Sequence, residues 1–392
     1  MKKCYTIFLL IFLSVLFVPL AYIYMIFLIL KELINKKYET IKYVKDNKYL
    51  LFISISCLIS IICSKYILIS SFFGMMIFVC ILTISYVSIN CDNIDKEKLL
   101  MIIYITALIT YVIGVFQMID PMYVMPKKWI DAEEFDLKKR MFSTFFNPNV
   151  FGFYINIIII TICVNLGRSK NKRLNIIEKI TFVSSIICLF FTFSRTSWVS
   201  LVLSFLCLGI LFDKKYLFFV IIVLIFIFGT DTVLGVNRAD IAKIPEDTSF
   251  LYRIELWKTS IRIIKDNLLT GIGFGTFFKY TTSYSSIITK YIEHCHNVYL
   301  QIFMETGIIG FTTFLITLVS IVKRVLKEYF LDKSNKFSIL VMLILCMTLI
   351  HGVVDSVSLT PQIMLILSCF IGLAISEYKS YNLKLKRVDI DV

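Results

Sequence analysis

Long runs of apolar residues, repeated along almost the whole chain, constrain the fold more than any other feature of the sequence. Many of these runs reach the length of about 20 residues that an α-helix needs to cross a bilayer. Hydrophobic residues make up 58% of the 392 residues, and the mean hydropathy of +0.83 is far above that of a soluble globular domain. The pattern therefore predicts an all-α fold, a polytopic transmembrane helical bundle.

The apolar runs predict eleven membrane spans. They lie at 5–30, 48–64, 67–89, 99–119, 147–166, 177–194, 196–212, 215–231, 297–322, 337–356 and 360–377. The first run leaves two alternatives: either the N-terminus with Lys2 and Lys3 is external, or the run breaks near Pro19 and the count becomes twelve. About 26 residues are too few for two full crossings, so a bundle of 11–12 spans is expected. Because no A-x-A cleavage site follows this run, we expect a retained helix and not a signal peptide.

Basic residues between the spans predict the orientation, because Lys and Arg accumulate in short cytoplasmic loops. They crowd the segments that share one side with the C-terminal tail: 31–47, 90–98, 167–176, 213–214 and 323–336. The extracytoplasmic side then receives loop 120–146, the turn at Ser194-Arg195 and the long loop 232–294. The net charge of +14 follows this asymmetry and does not indicate nucleic-acid binding.

A single membrane domain, 1–392, is expected, with 232–294 as its one large extracytoplasmic loop. Between Ser249 and Leu268 apolar residues recur at helical spacing, which predicts an amphipathic helix on the outer membrane surface or over a cavity. The glycines at 271, 273 and 275 should end that helix. The eleven cysteines contain no Cys-x-x-Cys pair, so neither a zinc site nor a disulfide framework is predicted.

Arg195 is the one charged residue between Ile180 and Phe212, with predicted spans on both sides. A charge at membrane depth is costly and is usually functional or paired. An arginine at a tight turn also reaches the lipid headgroups with its long side chain, and position alone favours neither interpretation. Arginine suits a diphosphate, because its planar guanidinium makes paired, charge-assisted hydrogen bonds and stays charged.

Two other arginines are candidates that also have simpler explanations. Arg140 precedes Asn147-Pro148-Asn149, a segment typical of a helix-capping turn, and a solvated loop charge there needs no further function. Arg253 lies on the amphipathic helix, four residues before Trp257, so the two can stack. Arginines on such a helix more commonly meet lipid phosphates.

His296 lies at the start of the predicted span 297–322, with Asn297 in the N-cap position. A helix N-terminus adds positive potential that suits an anionic lipid headgroup, and a histidine can accept a proton from a sugar hydroxyl. The simpler interpretation is an interfacial histidine, with Tyr299 as an aromatic anchor. The spacing His294-Cys-His296 is weak evidence for ligation, so no metal site is predicted.

Three polar residues in the last spans, together with Asn297, are candidates for acceptor binding or support. Glu305 lies nine residues past His296, roughly 13 Å farther along a helix, so it is expected to pair inside the bundle. His351 and Asp355 are four residues apart, which places them on one face of the predicted span 337–356. They would orient each other or a sugar, or make a polar contact between helices.

Four stretches together resemble the O-antigen ligase and O-antigen polymerase superfamily. They are Arg140 to Asn149, Phe193-Ser-Arg-Thr-Ser197, Trp257 through Gly271-Ile-Gly-Phe-Gly275, and His296-Asn-Val-Tyr-Leu-Gln followed by Glu305-Thr-Gly-Ile-Ile-Gly310. Each motif alone is degenerate, but their order and topology make the set specific. Members of this superfamily are membrane glycosyltransferases that act on sugars carried by a polyprenyl diphosphate lipid.

The resemblance implies a site and a reaction at the outer face of the bacterial cytoplasmic membrane. A glycan on undecaprenyl diphosphate would be transferred to, or polymerised on, a glycan or glycolipid acceptor. Arg195, helped by Arg140 and Arg253, would hold the diphosphate and stabilise the leaving group. His296 would orient or deprotonate the acceptor hydroxyl, and neither a metal nor a cofactor is expected, since arginines supply the positive charge.

Other classes of function remain open at this point. A transporter or flippase for lipid-linked oligosaccharide would bind diphosphate with the same arginines and would need no base. A peptidoglycan-type polymerase of the shape, elongation, division and sporulation class is also polytopic, but its motifs are not evident. Ligases and polymerases share the motifs above, so these do not name the acceptor. The glycines at 271, 273 and 275 follow a predicted amphipathic helix and not a strand, which excludes a dinucleotide-binding fold.

Overall fold

Helices form the regular structure of the chain. The computed structural model describes residues 2–91, 94–120, 139–166, 169–211, 213–234, 248–288, 292–331 and 336–388. Within these ranges there are fifteen α-helices, three short 3₁₀ turns and no strand. The predicted all-α class is confirmed.

The helices of the N-terminal half are α1 (Lys2–Leu16), α2 (Val18–Ile34), α3 (Glu39–Asp46), α4 (Lys48–Ile62), α5 (Ile67–Asn90), α6 (Lys96–Ile119), α7 (Pro148–Asn165) and α8 (Lys172–Phe191). Those of the C-terminal half are α9 (Arg195–Leu211), α10 (Tyr216–Leu234), α11 (Thr248–Asp266), α12 (Thr281–Tyr284), α13 (Val298–Leu331), α14 (Lys336–His351) and α15 (Pro361–Val388). The 3₁₀ turns are Ser143–Phe145, Phe277–Lys279 and Val357–Leu359.

In the described part of the chain, five helices are long and apolar enough to cross a membrane: α5, α6, α7, α8 and α13. A sixth span results if α2 and α3, bent by 98° at their junction, are counted as one. Six more apolar helices among the described residues are shorter, at 10–17 residues. This is a polytopic helical bundle, as predicted, while the number of 11–12 spans and the orientation stay predictions.

The first apolar run does break, at Phe17, as one of the two alternatives required. Phe17 has non-helical φ and ψ of −142° and 68°. Pro19 lies in the first turn of α2, where backbone N–H groups have no partner within the helix, so the missing N–H of proline costs no hydrogen bond. The resulting helices have 15 and 17 residues, each shorter than a full crossing.

The helices group into two compact units. The first contains Met1–Ile94, Glu246–Met342 and Gly352–Val392. Here α15 packs along α5, α13 along α4, and α11 against α13. The second contains Asp95–Pro245 and Leu343–His351, with α8 packed against α6 and α7, and α9 against α10. A single membrane domain over 1–392 stays a prediction.

Helix α11 corresponds to the predicted amphipathic helix. Its buried face contains Leu256 and Ile263, which join a hydrophobic cluster with Ile272, Phe277 and Met304. Exposed apolar residues also lie on it: Leu251 and Ile261 are about half exposed. One face of α11 therefore packs against other parts of the first unit, while apolar side chains elsewhere on the helix remain exposed. Two parts of the predicted loop, 235–247 and 289–291, lie outside the described residues.

Candidate active site

Helix α13 breaks at Gly307, whose φ of 62° and ψ of −170° are not helical. In an unbroken helix, the N–H groups of Ile308 and Ile309 would donate to carbonyls four residues earlier. They donate instead to the carbonyl oxygens of Leu268 and Leu269, at 2.8 and 3.4 Å, in the segment that follows α11. The segment thus replaces part of the hydrogen bonding of the helix.

The carbonyl groups released by this break are satisfied by the same segment. Met304 O accepts from Ile272 N at 3.0 Å, and Glu305 O accepts from Gly273 N at 2.9 Å. The hydroxyl of Ser60 on α4 also donates to Glu305 O at 2.7 Å. A broken helix at membrane depth needs such partners, because each unsatisfied backbone group there costs several kcal/mol. The glycine-rich segment and the start of α13 therefore form one hydrogen-bonded structure.

Glycine is required where the two backbones meet. Gly271, at φ 70°, lies so close that a Cβ atom would collide with the backbone of Glu305. At Gly307 a Cβ atom would collide with the carbonyl of Leu269. Both residues also have positive φ, which L-residues with a side chain adopt only with strain. These contacts place His296, the residue two positions before α13, relative to the packed core of the first unit.

His296 pairs with Asp355, a residue 59 positions away in sequence. Its Nδ1 atom lies 2.9 Å from Asp355 Oδ1. The carboxylate is almost fully buried, with 5% of the side chain exposed, whereas the imidazole is 34% exposed. Because an ionised carboxylate only accepts hydrogen bonds, Nδ1 carries a proton in this pair, and in the neutral imidazole Nε2 is then an acceptor.

Arg253 binds the other oxygen of the same carboxylate. Its Nη2 atom lies 3.6 Å from Asp355 Oδ2, and its Nη1 donates to the carbonyl of Val354 at 3.0 Å. Ser356 N also donates to Asp355 Oδ1, at 2.8 Å. A buried carboxylate is stable only when it is paired and hydrogen-bonded. Arg253 and the Ser356 amide meet this requirement, so Asp355 can hold the imidazole of His296 in one orientation.

The backbone of His296 is held in an unusual conformation. Its φ is 56°, in the left-handed region that non-glycine residues rarely adopt. The indole Nε1 of Trp257, on α11, donates to His296 O at 3.3 Å. Strained backbone of this kind persists only where neighbouring groups fix it, and it clusters at functional sites.

Asn297 caps α13 and fastens it to the turn that contains Asp355. Its Oδ1 accepts from Leu300 N at 2.9 Å, which is N-cap geometry, and its Nδ2 donates to Val353 O at 2.8 Å. Val298 N donates to Gly352 O at 2.8 Å. The start of α13 and the segment 352–355 are thus joined by the Asn297–Val353, Val298–Gly352 and His296–Asp355 hydrogen bonds.

The neighbours of His296 in sequence are not equivalent to it. Burial raises the pKa of the Cys295 thiol to about 12, so this thiol is protonated and is not a nucleophile at neutral pH. Burial also lowers the pKa of His294, which lies 3.9 Å from the carboxylate of Glu293. His294 has a carboxylate neighbour of its own, whereas His296 shares a carboxylate with an arginine.

One prediction about Asp355 is wrong. Helix α14 ends at His351, so His351 and Asp355 are not on one helix face. The ring of His351 instead packs edge-on against Phe153, with centroids 5.1 Å apart, in the second unit. Asp355 follows a turn and pairs with His296 and Arg253. Gly352, directly after His351, is the signal in the sequence for this helix end, because glycine is favoured just past a helix C-terminus.

Within the described residues, the hydrogen bonds to the Glu305 carboxylate come from neutral groups of the first unit. Its Oε1 accepts from Gln301 Nε2 at 2.7 Å and from Gly275 N at 2.9 Å. Gln301 in turn accepts a hydrogen bond from Cys295 N at 2.8 Å. Sequence reasoning missed Gln301, although its spacing of four residues from Glu305 on a helix predicts a contact.

Arg140, in the second unit, binds backbone and side-chain groups of two turns. Its Nε donates to Thr192 O at 2.9 Å, and its Nη2 lies 3.0 Å from Asn149 Oδ1 and 3.4 Å from Phe193 O. It therefore ties the predicted Asn-Pro-Asn cap of α7 to the turn before α9. Diphosphate binding by Arg140 stays a prediction.

Arg195, also in the second unit, is the first residue of α9 and is half-buried. The turn before it is sharp, since Phe193 has a φ of 49°. Trp198 fixes this turn by donating from Nε1 to Leu189 O at 3.2 Å and stacking on Phe190. The guanidinium is thus attached to a rigid helix N-terminus, a position that favours anions.

In the described part of the chain, no group of three or more His, Cys, Asp or Glu residues could hold a metal ion.

A comparison with protein families matches residues 180–315 to the family described as O-antigen ligase. The matched segment is about a third of the chain and is similar to that family. The match supports the superfamily that the four motifs resemble, and with it a multi-pass membrane glycosyltransferase in general. The matched segment includes Arg195, Arg253, His296 and Glu305, whereas Arg140 and Asp355 lie outside it. A comparison with curated proteins finds no match.

Proposed function

We propose that the protein transfers or polymerises an oligosaccharide from an undecaprenyl-diphosphate-linked donor onto an acceptor glycan at the outer face of the cytoplasmic membrane. The observation that carries this proposal is the hydrogen bond of 2.9 Å between His296 Nδ1 and Asp355 Oδ1. It leaves an imidazole nitrogen on a partly exposed ring available as a base, which glycosyl transfer needs and diphosphate binding alone does not.

In the proposed reaction, His296 Nε2 accepts the proton of an acceptor hydroxyl. The acceptor oxygen forms a bond to the anomeric carbon, the bond from that carbon to the diphosphate breaks, and the electron pair leaves on undecaprenyl diphosphate. Asp355 stabilises the imidazolium that forms and keeps Nδ1 as the protonated nitrogen. Placing the base in advance makes the proton transfer effectively intramolecular.

Arg253 has two proposed roles. It neutralises Asp355, so that this carboxylate can be buried, and it adds positive charge next to the base. With 18% of its side chain exposed, it also remains accessible to an anionic group of the donor. Developing negative charge on the leaving diphosphate is stabilised by such a preorganised cation.

Donor binding through Arg195 is a separate proposal that rests on its own unit. Its support is the position of the guanidinium at the N-terminus of α9, after a turn that Trp198 and Arg140 fasten. Paired hydrogen bonds from one guanidinium match the oxygens of a phosphate. Arg140 would then support this turn and, as predicted from the sequence, add charge for the diphosphate.

The proposed function is tested with purified protein in detergent micelles, a lipid-diphosphate oligosaccharide and an acceptor glycan. Micelles contain no second compartment, so a transporter has no product to form there. We expect longer or transferred glycan and released undecaprenyl diphosphate, both measured by mass spectrometry. Unchanged donor under these conditions, combined with movement of the same lipid across vesicles, would support the transporter or flippase alternative instead.

A further inference from the structure

A chain of buried hydrogen bonds leads from the glycine-rich segment to the backbone beside His296. Gly275 N donates to Glu305 Oε1 at 2.9 Å, and Gln301 Nε2 donates to the same oxygen at 2.7 Å. The other end of the Gln301 amide, Oε1, accepts from Cys295 N at 2.8 Å. Glu305, Gln301 and Cys295 are at most 8% exposed, so water does not compete for these bonds.

The direction of each hydrogen bond follows from the chemistry of Glu305. A carboxylate accepts hydrogen bonds and does not donate them, so the Gln301 amide must turn its NH₂ group toward Glu305. Its carbonyl oxygen is then the end that faces Cys295 N. Cys295 N, which is only a donor, requires the same orientation, so an apolar residue in place of Glu305 would leave the NH₂ end of the amide without the partner that anchors it.

Cys295 precedes the one histidine whose backbone is left-handed. The φ of 56° at His296 is maintained by groups on both sides: the Gln301 contact to Cys295 N before it, and the Trp257 contact to the carbonyl of His296 itself. Loss of the first contact releases the peptide that leads into His296. The direction of the imidazole, and with it the hydrogen bond to Asp355, depends on that peptide.

We infer that Glu305 is a positioning residue for His296, acting through the Gln301 side chain and the Cys295 backbone amide. Its carboxylate anchors the NH₂ end of the Gln301 amide, whose oxygen holds the peptide before His296. This inference rests on the proposed function for its effect on turnover, whereas its effect on the His296 side chain can be measured without any reaction.

The test uses ¹⁵N-histidine NMR on the purified full-length protein, which has only three histidines. His296 is assigned by the signal that disappears in His296→Gln. In Glu305→Ala we expect the Nδ1 signal of His296 to lose the shift typical of a hydrogen bond to a carboxylate, while His294 and His351 stay unchanged. Glu305→Gln keeps an oxygen that accepts from Gln301 and Gly275, so it should restore the wild-type signal.

The same variants separate a positioning role from a structural one in the transfer assay. We expect Glu305→Ala to lower kcat about tenfold or more with a donor KM within about twofold of wild type, because misplacement of a base affects the transition state. Glu305→Gln should keep most of the kcat. If Glu305→Ala does not fold, Gln301→Ala interrupts the same chain one step closer to Cys295 and leaves the Gly275–Glu305 bond intact.

A wild-type Nδ1 signal for His296 in the folded alanine variant, Glu305→Ala or otherwise Gln301→Ala, would overturn the inference. So would a Glu305→Gln variant that behaves like Glu305→Ala, because then the acceptor oxygen is not what matters. Failure of the proposed function is distinguishable: the NMR signal would change as expected, but transfer activity would be absent in the wild type or independent of His296.

Discussion

The imidazole of His296 and the carboxylate of Asp355 meet at 2.9 Å, and the guanidinium of Arg253 lies 3.6 Å from the other oxygen of that carboxylate. Three segments that are far apart in sequence therefore bring together one imidazole, one carboxylate and one guanidinium. The partners of a histidine decide which of its nitrogens is protonated, and this makes Asp355 the most informative residue to change.

Asp355→Asn should abolish most of the transfer activity without unfolding the protein. The amide has nearly the same shape, but its NH₂ group cannot stabilise an imidazolium, and it permits the other tautomer of His296. We expect kcat to fall by about 10²-fold or more, within the range of general-base assistance. Glu293→Gln, which removes a carboxylate next to His294, is the matched control and should remain active. Wild-type kcat in Asp355→Asn would assign the carboxylate a purely structural role.

Replacing Gly307 by alanine should destabilise the protein. Its φ of 62° and ψ of −170° lie in a backbone region that is essentially restricted to glycine and costs an alanine about 1–3 kcal/mol, and the added Cβ would collide with the carbonyl of Leu269. We expect a lower apparent melting temperature in detergent and lower membrane levels. Gly114→Ala is the control, because its Cβ would meet only the flexible side chain of Met141. Equal melting temperatures for the two variants would contradict the break of α13 at Gly307 and its close contact with Leu269.

Much of the helical architecture could be predicted from the apolar runs, because each run is a property of neighbouring residues. The break in α13 could not, since Gly307 lies within an apolar run and its partners, Leu268 and Leu269, are in another segment. The His296–Asp355 pair was missed for a related reason. The spacing of four residues predicts that His351 and Asp355 share a helix, whereas α14 ends at His351 and Asp355 lies after that end.

Local motifs, by contrast, identified candidate residues before any contact was known. Asn297 was recognised as the N-cap from its place before an apolar run, and its contact with Leu300 N confirms this. Arg140 was recognised with its Asn-Pro-Asn segment, but the motif could not reveal that its guanidinium binds Thr192 O. Spacing along one helix is readable in a sequence; contacts between separate turns are not.

Arg195→Lys should lower activity severely at normal membrane levels. The lysine keeps the charge but loses the planar pair of donors that matches a phosphate. A lost hydrogen bond to a charged group is worth about 1.5–3 kcal/mol, so we expect an increase in donor KM or a loss of kcat/KM of about 10- to 100-fold. Steady-state kinetics with purified lipid-linked donor measures this. Full activity in Arg195→Lys would mean that a point charge suffices, and full activity in Arg195→Ala would remove the residue from the site.

The predicted orientation is tested by single cysteines at positions 169 and 249, in a background without the native cysteines. Position 249 belongs to the segment predicted to be extracytoplasmic, and position 169 to a cytoplasmic segment rich in Lys and Arg. An impermeant thiol reagent on intact cells should therefore label Ser249→Cys but not Ser169→Cys. Both should react after the membrane is permeabilised. Labelling of Ser169→Cys alone in intact cells would reverse the orientation.

The most direct test of the account is the transfer rate of His296→Ala, compared with His294→Ala, on purified donor and acceptor. If His296 is the base, its removal should lower kcat by about 10²–10⁴-fold and leave binding of the lipid-linked donor largely intact. His294→Ala should be much milder, because the hydrogen bond to Asp355 Oδ1 is made by Nδ1 of His296, whereas His294 pairs with Glu293. Near-wild-type turnover in His296→Ala would contradict the proposed mechanism and make His296 an interfacial anchor.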